Sequence, residues 1–334
     1  MSRSETKRKA VGLFGGGLDS MLAFESMRRA GVAIEGVHFD TGFVRETHRD
    51  VARTGGAGYD VETIDVRQRY LEEVVAAPRF GYGSGMNPCH DCRAFMLSRA
   101  DEWAAERGAD LLFTGDVVGQ RSHDQSHEAF RVAERESGTT GRVLRPLSAE
   151  YVDRPDHPAA ESASGPAARL QGRSRREQFR LAADWGVTDY PTPSGRCCRL
   201  AEPAFARRIR DYLEHPPAGS PQAADIPRLA IGRHFRLAWD LKVILARSED
   251  EARSLARWAP GSGQCRPADR PGPEGRIEGT SLDSDALADV AALVASYTAR
   301  DPSDEIEVLV LFDGRERRIR AGPASEESLT LWRV

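Results

Sequence analysis

The sequence predicts an α/β fold built on a parallel sheet, followed by a helical extension and a small α+β domain. Three observations carry this expectation. Short apolar runs alternate with helix-compatible stretches through the first 150 residues. Three glycines punctuate the first strand-to-helix junction in "AVGLFGGGLDS" (residues 10–20), and the composition breaks into Pro, Ala, Ser and Gly at two later points. Alternation over that length implies parallel strands with helices on both faces of the sheet.

Strands are expected over residues 10–14, 32–40, 61–66, 110–114 and 143–147. Helices are expected over 19–30, which ends at Gly31, and over 92–107, where Phe95, Met96, Leu97, Ala100, Trp103 and Ala104 form an apolar stripe closed by Gly108. Residues 153–169, "DRPDHPAAESASGPAAR", read as a loop, and residues 215–227, "HPPAGSPQAADIP", as a linker. Between them lie helices at 175–185 and 203–213. Pro203 suits a first helical position, and Phe205, Ile209, Tyr212 and Leu213 share a face. Beyond the linker, strands at 235–246 and 305–312, an Asp313-Gly314 turn, and helices at 249–259 and 284–297 predict the small α+β domain. The expected organisation is 1–150 for nucleotide binding, 151–215 for an Arg-rich extension, and 228–334 for the last domain.

The 334 residues carry a net charge of -4, which argues against coating nucleic acid or membrane by bulk charge. A local patch exists all the same. Residues 171–210 hold nine Arg against four acids, a segment of +5 in a chain whose remainder is -9. No run approaches the roughly 18 apolar residues of a membrane span, and the first apolar run is too short for a secretory signal, so a cytoplasmic location without membrane partners is expected.

A loop leaving the carboxyl end of a parallel strand meets the next helix where unpaired N–H groups and the helix dipole favour an anion. Gly15, Gly16 and Gly17 would let backbone approach phosphate closely, and Ser20 adds a hydroxyl. A glycine-rich turn with Asp19 as a capping group fits the same letters. Neither the dinucleotide fingerprint nor the P-loop pattern is present.

Of five cysteines, Cys89 and Cys92 stand in "NPCHDC" at a helix start, and Cys197 and Cys198 in "GRCCRLAEP". A helix N-terminus favours thiolate, so the early pair suits thiolate chemistry or metal ligation. A zinc site, a [4Fe–4S] cluster with one open iron, and a metal-free persulfide pair are all compatible with this set. Cys265 reads as an incidental loop thiol. His123 and His127 have metal-ligand spacing but fit solvated helix-start positions, and Gln120 and Arg121 fit loop anchors.

Together "GGGLDS", "NPCHDC", "LLFTGDVVGQR", "LRPLS", "GRSRREQ" and "CCRLAEP" resemble the PP-loop (ATP pyrophosphatase) tRNA thiolation enzymes, relatives of the tRNA 4-thiouridine synthases and 2-thiouridylases. The match runs in order from about residue 11 to 212. The last hundred residues resemble, more weakly, the RNA-binding module of the NFACT proteins. The resemblance implies a HUP-like (adenine nucleotide alpha hydrolase-like) PP-loop domain that adenylates a tRNA uridine oxygen and replaces it with sulfur. ATP would lie on Gly15, Gly16, Gly17, Asp19 and Ser20, with Asp19 near Mg²⁺ and with Thr114, Gly115 and Asp116 completing the pocket. Asp19, Cys92 and Cys198 would be the catalytic residues. Cys89, Cys92 and Cys198 would hold a [4Fe–4S] cluster, or Cys92 and Cys198 would work as a persulfide pair. Arg173, Arg175 and Arg176 would contact tRNA, and a cysteine desulfurase or free sulfide would donate the sulfur.

The sequence departs from the family's S-G-G-x-D-S loop at Gly15, where one hydroxyl donor is missing. A PP-loop ligase forming an amide would need neither the cysteines nor the Arg-rich segment, and a non-catalytic RNA-binding protein would have no use for Asp19 and Ser20.

Overall fold

The computed structural model describes residues 9–44, 46–53, 58–121, 123–162, 166–192, 198–216, 219–258, 263–301 and 303–334; Cys197 lies outside them. The chain divides into two compact units, Met1–Ala201 and Glu202–Val334.

In the first unit, strands β1 (Lys9–Leu13), β2 (Ala33–Asp40), β3 (Val61–Asp65), β4 (Leu111–Phe113) and β5 (Val143–Leu144) form a parallel sheet in the order β3-β2-β1-β4-β5. The intervening helices are α1 (Leu18–Arg29), α2 (Glu46–Arg53), α3 (Arg67–Tyr70, running into a wider turn at Leu71–Val75), α4 (Cys89–Glu106), α5 (His127–Ser137), α6 (Pro158–Ser162) and α7 (Arg176–Trp185). The strand order changes direction at β1. Such a switch point leaves a crevice at the carboxyl ends of the central strands, bordered here by the loops after β1 and β4. The core beside it is aromatic: Phe24 meets Phe14 and Phe113, each with ring centroids 4.9 Å apart.

Two details differ from expectation. Helix α4 begins at Cys89, because the Pro88 carbonyl accepts the first helical hydrogen bond from the Cys92 N–H at 2.8 Å. Both early cysteines therefore sit in its first turn. The stretch expected as a loop after residue 153 contains α6 and a tight turn at Pro166–Arg169, whose Ala159, Ala160, Ala167 and Ala168 are small enough to be buried.

The second unit contains α8 (Pro203–Glu214), α9 (Ile226–Leu229), β6 (Arg233–Ala238), β7 (Leu241–Leu245), α10 (Glu249–Trp258), β8 (Gly263–Pro267), β9 (Gly275–Glu278), α11 (Ser284–Ser296), β10 (Ile306–Phe312), β11 (Arg315–Ala321) and α12 (Glu326–Trp332). Helix α8 thus groups with this unit and not with the Arg-rich segment before it. Its sheet is antiparallel throughout, in the order β11-β10-β8-β9-β7-β6. The single strand expected over 235–246 is a hairpin that turns at Trp239 and Asp240 without a glycine. The Asp313-Gly314 turn has positive φ at both residues, as a two-residue hairpin with its native twist requires. Cys265 is no loop thiol: it lies buried in β8, and burial pushes its thiol up to about 12.

Candidate active site

The loop after β1 places Gly16 at φ +69, and a Cβ there would stand 2.2 Å from the His48 carbonyl oxygen, so only glycine fits. Gly17 precedes α1 in an extended conformation with no side-chain cap, while the Ser20 hydroxyl donates to the Gly17 carbonyl at 2.7 Å. The "TGD" loop after β4 packs against the first turn of α1. A Cβ on Gly115 would lie 2.6 Å from the Asp19 carbonyl carbon and oxygen and from the Ser20 nitrogen.

Asp19 is held from one side only. Its Oδ2 accepts a 2.7 Å hydrogen bond from Gln120 Nε2, and Arg175 Nη2 lies 3.9 Å away. Its Oδ1 is buried and has no hydrogen-bond partner among the described residues. Burial raises the carboxyl above the ordinary aspartate range, outweighing the Gln120 hydrogen bond and the charges of Arg175 and Arg121 that pull it down. Gln120 is held in turn by Gln178 of α7, whose Nε2 donates to Gln120 Oε1 at 2.8 Å.

Asp116 differs. Arg93 Nη1 reaches both of its oxygens at 2.6 Å, Gln125 Nε2 donates to Oδ1 at 3.2 Å, and the Thr114 hydroxyl donates to Oδ2 at 2.9 Å. Although burial alone would raise its carboxyl, Arg93 and Arg145 hold it far below the usual range. Asp116 is thus a fixed anion that ties the TGD loop to α4, the helix of Cys89 and Cys92.

Backbone contacts bring the late cysteine station to the early one. Cys198 bridges Val44, the Arg199 N–H bonds to the Phe43 carbonyl at 2.9 Å, and the Met86 N–H bonds to the Leu200 carbonyl at 2.9 Å. Asn87 Nδ2 donates to the Cys89 sulfur at 3.1 Å. Cys89, Cys92 and Cys198 are all half-buried. They line one cavity of about 330 Å³ together with Gly15, Gly17, Asp19, Ser20, Thr114, Gly115, Asp116 and Arg175.

Other expected residues lie elsewhere. Gly16 supports the loop from behind, and Arg173 and Arg176 are exposed outside the cavity wall. His123 and His127 are exposed, and the His123 ring packs on His90, 5.1 Å between centroids, not on His127. Among the described residues no group of three or more His, Cys, Asp or Glu side chains is placed to hold a metal ion. The three thiols share a wall without forming a ready ligand set, so no step below runs through an iron–sulfur cluster. Mg²⁺ is a different case, since it takes one or two carboxylates plus phosphate oxygens, and the unpartnered Oδ1 of Asp19 fits that role.

Arg93 was not singled out by the sequence, and Asn87, Arg145 and Gln178 stood there only within "NPCHDC", "LRPLS" and "GRSRREQ", with no role of their own. Arg93 follows Cys92 and lies four residues after Cys89 on one helix, and Gln178 is a polar residue on the buried side of α7 beside Leu181 and Ala182. Those placements are the signals that would have found them.

Residues 232–333 match the family described as the NFACT protein RNA-binding domain. No curated protein matches the chain. Among solved structures, a 4-thiouridine synthetase–RNA complex with bound ATP is 24% identical, with a TM-score of 0.33, over 55% of this chain. The chain spans about half of that protein, 52%. A predicted subunit of tRNA methyltransferase from Methanocaldococcus jannaschii is 14% identical, with a TM-score of 0.31, over 54% of this chain and 89% of that one.

Proposed function

We propose that this protein is an ATP-dependent tRNA sulfurtransferase that adenylates a uridine carbonyl oxygen and replaces it with sulfur. One observation carries the reading: a glycine loop of the PP-loop type and three cysteines line the same cavity. A nucleotide loop alone would serve many reactions; thiols on the same wall suit one in which an activated oxygen leaves and sulfur enters. The match of residues 232–333 to an RNA-binding domain supports RNA as the carrier of the substrate.

ATP phosphates would take N–H groups of the Gly15–Gly17 loop and the first turn of α1. Mg²⁺, held by Asp19 Oδ1, would neutralise charge building on the departing pyrophosphate. The uridine oxygen attacks the α-phosphorus and pyrophosphate leaves. A persulfide on Cys92 or Cys198, its outer sulfur transferred from the persulfide of a cysteine desulfurase, then attacks the activated carbon, and AMP departs with the original oxygen. The other cysteine attacks the sulfur of the loaded residue, releases the thiolated base and forms a disulfide, which a thiol reductant reopens. Arg175, on the cavity wall, would meet phosphate of nucleotide or tRNA.

The test is nucleoside analysis of tRNA transcripts incubated with protein, ATP, a thiol reductant, and a cysteine desulfurase with cysteine. Thiouridine with matching AMP and pyrophosphate is expected. Cys198→Ser should still release pyrophosphate while yielding no thiouridine. Pyrophosphate release that depends on ammonia and leaves every uridine unthiolated would replace this reading with an amide-forming ligase.

A further inference from the structure

The RNA-binding match covers every strand of the second unit's sheet without saying which surface meets RNA, and the sheet's two faces are chemically unlike each other. On β11, Ile319 and Ala321 pack into the core opposite Val308 and Ile306 of β10. Odd positions of β11 therefore share the core face, and Arg318 and Arg320 point to the other side. The same register puts Leu309 and Leu311 of β10, Gln264 and Arg266 of β8, and Arg276 of β9 on that outer face.

Half of the outer face is already covered. Asp211 of α8 takes Arg236 of β6 and Lys242 of β7 at 2.8 and 2.6 Å, and Leu255 of α10 packs on Ile244 of β7. Nothing among the described residues covers the other half. Arg266, Arg318 and Arg320 are exposed there and Arg276 is half-buried, around Leu311, which is 37% exposed. Four guanidinium groups share the outer face of these strands with three carboxylates: Glu278, which pairs with Arg228 at 2.7 Å toward the covered half, and Glu307 and Glu316, which among the described residues pair with Arg318, at 3.2 and 3.6 Å. Exposed pairs of this kind are weak and exchange readily for phosphate.

We infer that the open outer face of β8, β9, β10 and β11 is the RNA-contacting surface of this unit, with Arg266, Arg276, Arg318 and Arg320 gripping a single strand over Leu309 and Leu311. Charge selects a polyanion. A flat three- to four-strand face with an apolar floor suits splayed bases, and guanidinium planes serve both phosphate contact and stacking. The inference rests on RNA being the partner, as proposed above.

The test compares two double variants of the full chain, each losing two positive charges from the same sheet. Arg266→Gln/Arg320→Gln strips the outer face; Arg315→Gln/Arg317→Gln strips the core side of β11. Affinity for a labelled tRNA transcript is read by anisotropy across a salt series, with circular dichroism confirming both folds. The outer-face variant should bind about tenfold more weakly at moderate salt, with a salt slope shallower by about 1 to 2, and the core-side variant should match the parent. Equal losses in both variants, or no loss in the outer-face variant while the parent binds, would overturn the surface assignment and leave RNA as the partner. A parent chain that does not bind the transcript would overturn both.

Discussion

The side-chain amide of Gln120 donates to Asp19 Oδ2 at 2.7 Å, and the carbonyl of the same amide accepts from Gln178 at 2.8 Å. A buried relay thus runs from α7, just after the Arg-rich loop, to the first turn of α1. It holds Asp19 by one oxygen and leaves the other for a cation. Gln178→Leu leaves Gln120 Oε1 buried and unpaired, which costs about 1 to 3 kcal/mol. Urea unfolding should show that loss, and titration calorimetry should show weaker Mg·ATP binding although Gln178 does not line the cavity. Unchanged nucleotide affinity would mean the relay is structural only.

Asp19→Asn separates stability from binding. Because burial raises the Asp19 carboxyl, the native protein holds that proton more tightly than the unfolded chain, so the ionised group costs stability at pH above the raised value. The cost is absent below the ordinary value of 3.8, builds as pH rises toward the raised one, and is constant beyond it. The variant should therefore melt at or above the parent at pH 7, with an advantage that shrinks toward acid, while Mg·ATP binding is lost. A variant that melts well below the parent at neutral pH would contradict this balance.

The glycines of the loop are not equivalent. A Cβ on Gly15 meets nothing among the described residues within 4 Å and needs no left-handed backbone, whereas Gly16 combines φ +69 with a 2.2 Å approach to the His48 carbonyl. Gly15→Ser should leave the melting temperature within about a degree and tighten ATP by restoring the hydroxyl of the family loop, since changes at open sites stay within about 0.5 kcal/mol. Gly16→Ala should cost about 1 to 2 kcal/mol from backbone handedness alone, and more from the clash. Thermal melts and ATP titrations of both variants check the contrast.

These residues show what the sequence made legible. The strand-loop-helix unit around Gly15 to Ser20 could be read because glycine and apolar patterning are local signals, and the parallel sheet followed from alternation. The convergence of Cys198 on Cys89 and Cys92 was implied only by resemblance, since the contacts that produce it join residues more than a hundred positions apart. The roles of Arg93 and Gln178 stayed hidden for a like reason: each rests on a side-chain partner, Asp116 or Gln120, that lies on another segment of the chain and meets it only in the fold. The strands β8, β9 and β11 were missed because two are short and the third, "RERRIRA", lacks apolar alternation outside Ile319.

Arg93 and Asp116 form the pair most sensitive to being split. Removing the guanidinium with Arg93→Met leaves a buried carboxylate without its nearest cation, which costs about 3 to 5 kcal/mol. Because Asp116 titrates below its ordinary value of 3.8 in the folded protein, the pair's contribution is complete above that pH and fades as pH falls below it. The loss in Arg93→Met should therefore be full at pH 7 and smaller in strong acid. Asp124 also lies 3.2 Å from the same guanidinium, so Asp116→Leu should be the milder single change. In a double-mutant cycle followed by urea unfolding, Arg93→Met/Asp116→Leu should be more stable than Arg93→Met, with a coupling of at least about 1 kcal/mol. Additive losses would mean that this pair does not join the TGD loop to the cysteine helix.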